Sequence, residues 1–229
     1  MTAEVRRGVA TTQRPQVMLR PVQLRVKRGI DVVGATILLV MLAPLLAAVA
    51  VSIKATSRGP IIFRQSRLGL DRRPFTVYKF RSMRVDADPD VHRRFLNHQL
   101  ALGAEGCEAE IQHFKVTDDN RVTAVGLIIR RLSIDELPQL VNVIKGQMSL
   151  VGPRPDLAYS LELYQPHHYR RFNVVPGMTG LWQVSGRSNL SFVEMLELDV
   201  VYADTWSLAT DIGILARTIP VLLSPDWAG

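Results

Sequence analysis

Cysteine is all but missing from this chain of 229 residues, with Cys107 its one example. A lone thiol excludes an internal disulfide and any cysteine-based metal cluster, which fits a reducing cytoplasm. Cys107 lies in a Gly- and Glu-rich stretch with no base or cationic neighbour to activate it, so it reads as an incidental thiol. Histidine is also sparse, at five. His167 and His168 adjoin each other, and side chains of neighbouring residues are expected to diverge, so no histidine metal site is expected. Acidic residues are nearly absent from the first third: residues 1–84 carry sixteen Lys and Arg against Glu4, Asp31 and Asp71. The remainder reverses the balance, with twelve Lys and Arg against eighteen Asp and Glu. A basic first third on a mildly acidic body predicts an anionic partner, either nucleic acid or anionic lipid head groups. No internal repeat is present, and the length suits one domain with a buried core.

What the chain does hold is a long apolar run. Residues 30–53 carry one charge, Asp31, at their start. At ~1.5 Å per residue such a helix is long enough for the ~30 Å hydrocarbon layer. It starts too late and runs too long for a cleavable signal peptide, and no small-x-small cleavage site precedes Lys54. A buried helix of a soluble fold is the bland alternative. Arg20, Arg25, Lys27 and Arg28 precede the run, and Lys54, Arg58, Arg64 and Arg67 follow it. Positive flanks prefer the cytoplasmic side, and a single crossing cannot place both there. Pro44, near the middle, lacks the N–H an interior helical position needs, so the spacing predicts a re-entrant hairpin over a true span. Lys27 and Asp31, four apart, are expected to pair at its start.

Residues 1–19 are polar and aperiodic, a disordered basic arm. Ile61–Phe63 and Phe75–Phe80 read as short strands, with a turn over residues 67–71 between them. A helix is expected over residues 92–102. Ser133 with Glu136 forms a capping-box pattern, followed by a buried stripe of Leu137, Leu140, Val141 and Ile144 that ends at Gly146. Asp204 or Ser207 caps a last helix whose apolar side is Ile212, Leu215, Ala216 and Ile219. Helices near residues 192–201 and 211–223 suit either the membrane surface or the core.

Asp135 and Glu136 would fall in the first turn of the capped helix, where acidic residues are usually caps. Their surroundings argue for more. Lys79, Arg81, Arg130, Arg131 and Arg154 all lie in short motifs rich in Gly, Pro and Ser. Cations beside one acidic pair suit an anionic substrate and a divalent ion, Mg²⁺ being the choice for hard oxygen ligands. Gly152-Pro153-Arg154-Pro155 is a stiff turn that presents Arg154, and a second Gly-rich approach ends in Arg187.

These words together resemble a known family. Tyr78-Lys79-Phe80-Arg81-Ser82-Met83, Asp119-Asn120-Arg121-Val122-Thr123-Ala124-Val125-Gly126, the Asp135-Glu136 segment with Leu137-Pro138-Gln139, Gly146 through Pro155, and Pro176-Gly177-Met178-Thr179-Gly180 keep their order over residues 24–223. The chain resembles the bacterial sugar transferases, monotopic polyprenyl-phosphate phosphoglycosyl transferases that initiate surface glycan synthesis. The resemblance implies an α/β-mixed, mostly helical fold. A basic arm (1–23), a re-entrant membrane helix hairpin (24–57) and a compact catalytic domain (58–229) with a small sheet and interfacial amphipathic helices would follow one another. It implies the bacterial inner membrane, with the catalytic domain on the cytoplasmic face. It further implies a UDP-sugar donor, an undecaprenyl phosphate acceptor and membrane lipid as partners, no nucleic acid, and leaves a homodimer open. Asp135 matches the nucleophile that forms an aspartyl-phosphosugar as UMP leaves, and Glu136 the partner carboxylate. Both are candidate Mg²⁺ ligands. Lys79, Arg81, Arg130, Arg154, Asp156 and Arg187 are the candidate phosphate and nucleotide contacts. Ala43 stands where the family often has Ser before the proline, and larger relatives carry additional N-terminal membrane helices, so the chain looks like the short form. A non-catalytic membrane adaptor and a soluble nucleotide-binding enzyme are the competing classes.

Overall fold

The structure, a computed structural model, describes residues 21–84, 121–186 and 190–223. The basic arm before Pro21, the helix expected over 92–102, Cys107, the first two residues of the Asp119 word and Arg187 lie outside the described residues.

The apolar run forms one helix, α1 (Pro21–Thr56), with Pro44 inside it. The helix is long and apolar enough to cross a membrane. Both of its ends nevertheless pack on the rest of the protein. Ala35 belongs to the main core with Val77, Leu140, Val143 and Tyr202. Val49 and Ile53 close a second core with Phe80 and Ile129. Val33, Val40, Met41 and Val51 are exposed.

Lys27 and Asp31 do not pair with each other. They reach the strand β3 (Ser149–Val151), which pairs in parallel with β4 (Gly177–Thr179). Asp31, only 5% exposed, accepts the Leu150 N–H at 2.9 Å. Lys27 Nζ donates to the Val151 carbonyl at 3.0 Å and to Asp211 Oδ2 at 2.5 Å. A charge carried into a core must find such partners, and here they come from residues more than a hundred positions away.

Antiparallel strands β1 (Ile62–Leu68) and β2 (Pro74–Phe80) form the hairpin expected, with β1 running on through part of the predicted turn. The register Phe63↔Lys79, Gln65↔Val77, Arg67↔Phe75 puts Arg67 and Lys79 on one face. Helix α2 (Ala124–Arg131) is capped by Thr123, whose Oγ1 accepts the Gly126 N–H at 2.9 Å. Gly126 is required for contact with the β2 exit, since a Cβ there would lie 1.9 Å from the Ser82 carbonyl oxygen.

The predicted capping box at Ser133 does not form. Ser133 is left-handed (φ 53) and its side chain caps nothing, and Ile134–Gln139 is a 3-10 turn before the short helix α3 (Leu140–Ile144). Pro138 is the reason: inside an α-helix its ring would meet the Ile134 carbonyl and leave it without a donor. The tighter turn shifts the phase of burial. Leu140, Asn142 and Val143 are fully inside, whereas Leu137, Val141 and Ile144 are half-buried. Gly146 ends the helix in the left-handed region, as expected (φ 78).

Two 3-10 segments (Ala158–Leu163 and Pro166–Asn173) and helix α4 (Leu181–Ser185) lead to α5 (Phe192–Thr205) and α6 (Leu208–Leu223). Helix α5 carries a Ser191–Glu194 capping box and buries Leu196, Asp199, Val200 and Tyr202, so it is a core helix. Ser207 caps α6 by accepting the Thr210 N–H at 3.1 Å. The buried face of α6 is Asp211 and Ile214, with Leu215 and Thr218 partly covered. Ile212 and Ile219, on the expected apolar side, are each 63% exposed, so that side is not the buried one. Asp211 sets this rotation: it is drawn inward by Lys27, the Tyr202 hydroxyl (2.7 Å) and Trp206 Nε1 (3.1 Å). Turning Asp211 in turns Ile212 out.

Candidate active site

Three pieces of chain meet at the acidic pair: β2 with Lys79, the 3-10 turn with Asp135 and Glu136, and the Gly152–Pro155 turn with Arg154. Asn142, fully buried, fixes the first against the second. Its side chain accepts the Tyr78 N–H at 3.1 Å and donates to the Thr76 carbonyl at 2.7 Å, on either side of Val77 and next to Lys79 in β2.

Because the capping box is not made, Glu136 is free to take cations. Lys79 Nζ donates to its Oε1 at 2.8 Å, and Arg154 grips it with a fork, Nη2 to Oε1 at 2.5 Å and Nη1 to Oε2 at 3.1 Å. Burial pushes the Glu136 carboxyl up, and Arg154 and Lys79 overcome this to hold it below the usual carboxylate range. Burial lowers Lys79 despite Glu136, while Glu136 raises Arg154.

Asp135 has a different situation. It is half-buried and makes no hydrogen bond among the described residues. Burial raises its carboxyl above the ordinary value, the adjacent Glu136 adds to that, and Lys79, Arg154 and Arg130 pull it back. One carboxylate is locked and the other left open, with cations around both. Arg130, in the last turn of α2, has no hydrogen-bond partner among the described residues and acts on Asp135 by charge.

Two expected phosphate contacts lie elsewhere. Arg81 is buried and turns to the end of α1, donating to the Ser57 carbonyl at 2.9 Å and its hydroxyl at 2.7 Å. It closes a helix C-terminus, where carbonyls lack donors. Asp156 accepts the Leu157 N–H and the Tyr164 hydroxyl, both at 2.7 Å, and reaches the site only through its charge on Arg154 and Arg67. Arg67, read from sequence only as a flanking charge, joins the site. It donates to Gln65 Oε1 and the Pro155 carbonyl, and burial together with Arg154 lowers it to about 10. Alternation carried along β1 from Phe63, opposite Lys79, would have found it.

His167 and His168 converge rather than diverge. Both Nε2 atoms face Glu197 Oε1, at 2.6 and 3.0 Å, with ring centroids 4.1 Å apart. His168 Nδ1 accepts the Gln165 N–H at 3.1 Å, which leaves the proton of a neutral ring on Nε2, directed at Glu197. A nitrogen so protonated has no lone pair for a metal, and the cluster ties the Pro166–Asn173 segment to α5.

The family model of the bacterial sugar transferases matches residues 22–225. Galactosyl transferase CpsE of Streptococcus agalactiae serotype III (strain NEM316) is 44% identical over 86% of this chain and 42% of its own length. The exopolysaccharide production protein ExoY of Rhizobium meliloti (strain 1021) is 36% identical over 89% of this chain and 88% of its own. A UDP-glucose:undecaprenyl-phosphate glucose-1-phosphate transferase of Caulobacter vibrioides (strain ATCC 19089 / CIP 103742 / CB 15) is 43% identical over 88% of this chain and 71% of its own. The chain thus spans under half of the first relative and most of the other two. Its matched span contains the acidic pair, Lys79, the Arg154 turn and all of α1 but Pro21, and the protein belongs to the bacterial sugar transferase family, an enzyme rather than a membrane adaptor.

Proposed function

We propose that this protein moves a sugar-1-phosphate from a UDP-sugar to undecaprenyl phosphate, releasing UMP, as the initiating step of a bacterial surface glycan such as an exopolysaccharide, capsule, O-antigen or glycoprotein glycan. The observation that carries this reading is the division of labour in the acidic pair: Glu136 is held by Lys79 and Arg154, and Asp135 beside them makes no hydrogen bond among the described residues. The names of the Caulobacter relative and of a Salmonella typhimurium undecaprenyl-phosphate galactose phosphotransferase supply the donor and acceptor classes.

In the first step an Asp135 carboxylate oxygen attacks the sugar-proximal phosphorus. A P–O acyl-phosphate bond forms, the diphosphate P–O bond breaks, and UMP leaves with its electron pair. In the second a phosphate oxygen of the polyprenyl carrier attacks the same phosphorus and restores the carboxylate. Two transfers through one carboxylate let two mutually repelling anions use the site in turn. Lys79, Arg67, Arg130 and Arg154 set four positive charges against two carboxylates, so the site carries an excess of positive charge for the incoming diphosphate. Raising Asp135 makes it a better nucleophile once ionised, and Arg130 favours the ionised form.

The donor set suits Mg²⁺. Asp135 offers an uncommitted carboxylate, and Glu136, with two donors on Oε1 and one on Oε2, keeps one lone pair on Oε2. One or two carboxylates completed by substrate phosphate oxygens is a usual magnesium site. When bound, the ion withdraws charge from the phosphoryl oxygens.

At the membrane, α1 supports a re-entrant seat on the cytoplasmic face. Residues 31 and 35 near one end and 49 and 53 near the other are buried against one body, while the stretch between exposes Val40 and Met41. A perpendicular span could offer only one end to a domain on one side. The exposed Ile212 and Ile219 of α6 are a second apolar surface suited to lipid.

The test is UMP release from UDP-glucose, UDP-galactose and UDP-N-acetylglucosamine with undecaprenyl phosphate and Mg²⁺. Asp135→Asn should abolish release by the wild type's preferred donor while the protein still partitions with membranes. Normal turnover by that variant would reject the mechanism.

A further inference from the structure

Arg154 is held at both ends. Its side chain grips Glu136, and its main chain is gripped in turn by a residue that the chemistry does not otherwise use. Arg171, on the Pro166–Asn173 segment, is 4% exposed and spends every N–H of its guanidinium. Nε and Nη2 donate to Asp199 Oδ2 at 3.0 and 2.6 Å. Nη1 donates to the Tyr164 hydroxyl at 2.6 Å and approaches Asp156 Oδ2 at 3.5 Å. Nη2 also donates to the carbonyl oxygen of Arg154 at 2.6 Å. Tyr164 in turn donates to Asp156, so the partly buried Asp156 and Tyr164 and the buried Arg171 and Asp199 make one network that reaches the Arg154 carbonyl.

That network is more than a local ion pair. Its anchor, Asp199, belongs to core helix α5, and the same segment is tied to that helix by His167 and His168 on Glu197 and by Arg170 on Asp204 at 3.0 Å. The Arg154 turn therefore sits on a platform fixed by four side chains of one 3-10 segment. A turn stiffened by two prolines moves as a unit, so a shift at the Arg154 carbonyl becomes a shift at its guanidinium. The Glu136 fork tolerates little of that, since both Nη atoms are matched to separate carboxylate oxygens.

The geometry points to Arg171 as a positioning residue for the transfer reaction, acting through the main chain of Arg154 and with Asp199 as its anchor. This rests on the reading that the acidic pair is the active site. Lysine cannot replace it: an ammonium has three donors on one atom and cannot span Asp199, Tyr164 and the Arg154 carbonyl together. An error of about 1 Å in a positioned group costs on the order of 100-fold in rate.

The experiment is a double-mutant cycle on kcat and KM for UMP release, using whichever of UDP-glucose and UDP-galactose the wild type turns over. Arg171→Lys alone should lower kcat by roughly 100-fold with the donor KM little changed. In an Arg154→Ala background the same substitution should change kcat by less than about 3-fold, because a residue acting through Arg154 has nothing left to position. Equal losses in both backgrounds, or a folded Arg171→Lys enzyme with wild-type kcat, would overturn the assignment. If Arg171→Lys gives no cooperative melting transition, Asp199→Asn takes its place in the same cycle, and additive losses there overturn it equally. A wild-type protein that releases no UMP would instead count against the function proposed above.

Discussion

If α1 is part of the catalytic fold, cutting its polar ties must unfold the protein and not merely detach it from lipid. Asp31→Ala removes the acceptor of the Leu150 N–H, a bond of 2.9 Å between buried groups. An orphaned buried donor costs about 1–3 kcal/mol. For a domain of this size each kcal/mol moves the melting temperature by about 2–4 °C, so the expected fall is about 2–12 °C. Asp31→Asn retains an oxygen in the same place and should lose clearly less. Lys27→Met strands Asp211, whose side chain is 9% exposed and among the described residues keeps Tyr202 and Trp206 as donors. Breaking a buried pair from one side costs about 3–5 kcal/mol, so this variant should fall further than Asp31→Ala. Thermal unfolding of the detergent-solubilised protein, followed by near-ultraviolet circular dichroism, reads all three. A melting temperature for Asp31→Ala within 1 °C of wild type, or a protein lacking residues 1–57 that melts and releases UMP as the full chain does, would refute the reasoning.

Three further outcomes are expected. Burial raises Asp199 from 3.8 to about 6 against the pull of Arg171, so the folded state keeps a proton that the unfolded state loses. Stability from this residue is complete below about pH 4 and is lost as the pH rises to about 6, and Asp199→Asn should flatten the melting-temperature profile in that window. An unchanged slope would reject this origin. Gly126→Ala drives a Cβ to 1.9 Å from the Ser82 carbonyl oxygen and should cost about 1–3 kcal/mol by overpacking, read as a lowered melting temperature; no loss would mean that α2 is free to shift. In a Cys107→Ser background, cysteines at positions 20 and 58 should both react with an impermeant maleimide only from the cytoplasmic side of inverted vesicles. Labelling from opposite sides would mean a true span.

Much of the site was legible because it lies in short words. The alternation of residues 75–80 gave β2 and its Lys79, and the two prolines around Arg154 gave a turn that presents a cation. What misled was chemistry that pairs distant residues. Ser133 and Glu136 have the spacing of a cap, yet Pro138 two residues on forbids the α-helix that would use it. Asp31 and Lys27 have helical pair spacing, yet the strand at residues 149–151 competes for both with buried backbone groups. The periodicity of the last helix gave Ile212 an apolar side without saying whether core or surface takes it, and one buried carboxylate, Asp211, turned that side outward. Arg171 and Asp199 were invisible because each sits among other charges, Arg171 beside Arg170 and Asp199 two after Glu197, and such clusters read as surface. Arg81 carried the opposite error, a cation in the right word whose partner is a helix end.

The central claim is that the carboxylate at position 135 becomes covalently attached to a phosphosugar. Incubating the protein with a turned-over UDP-sugar and Mg²⁺ in the absence of undecaprenyl phosphate, then quenching in acid, should give an intact mass increased by one sugar phosphate, mapped by peptide sequencing to Asp135 and discharged by adding the lipid acceptor. Product formation at full rate with no such adduct, or an adduct that survives in Asp135→Asn, would contradict the account.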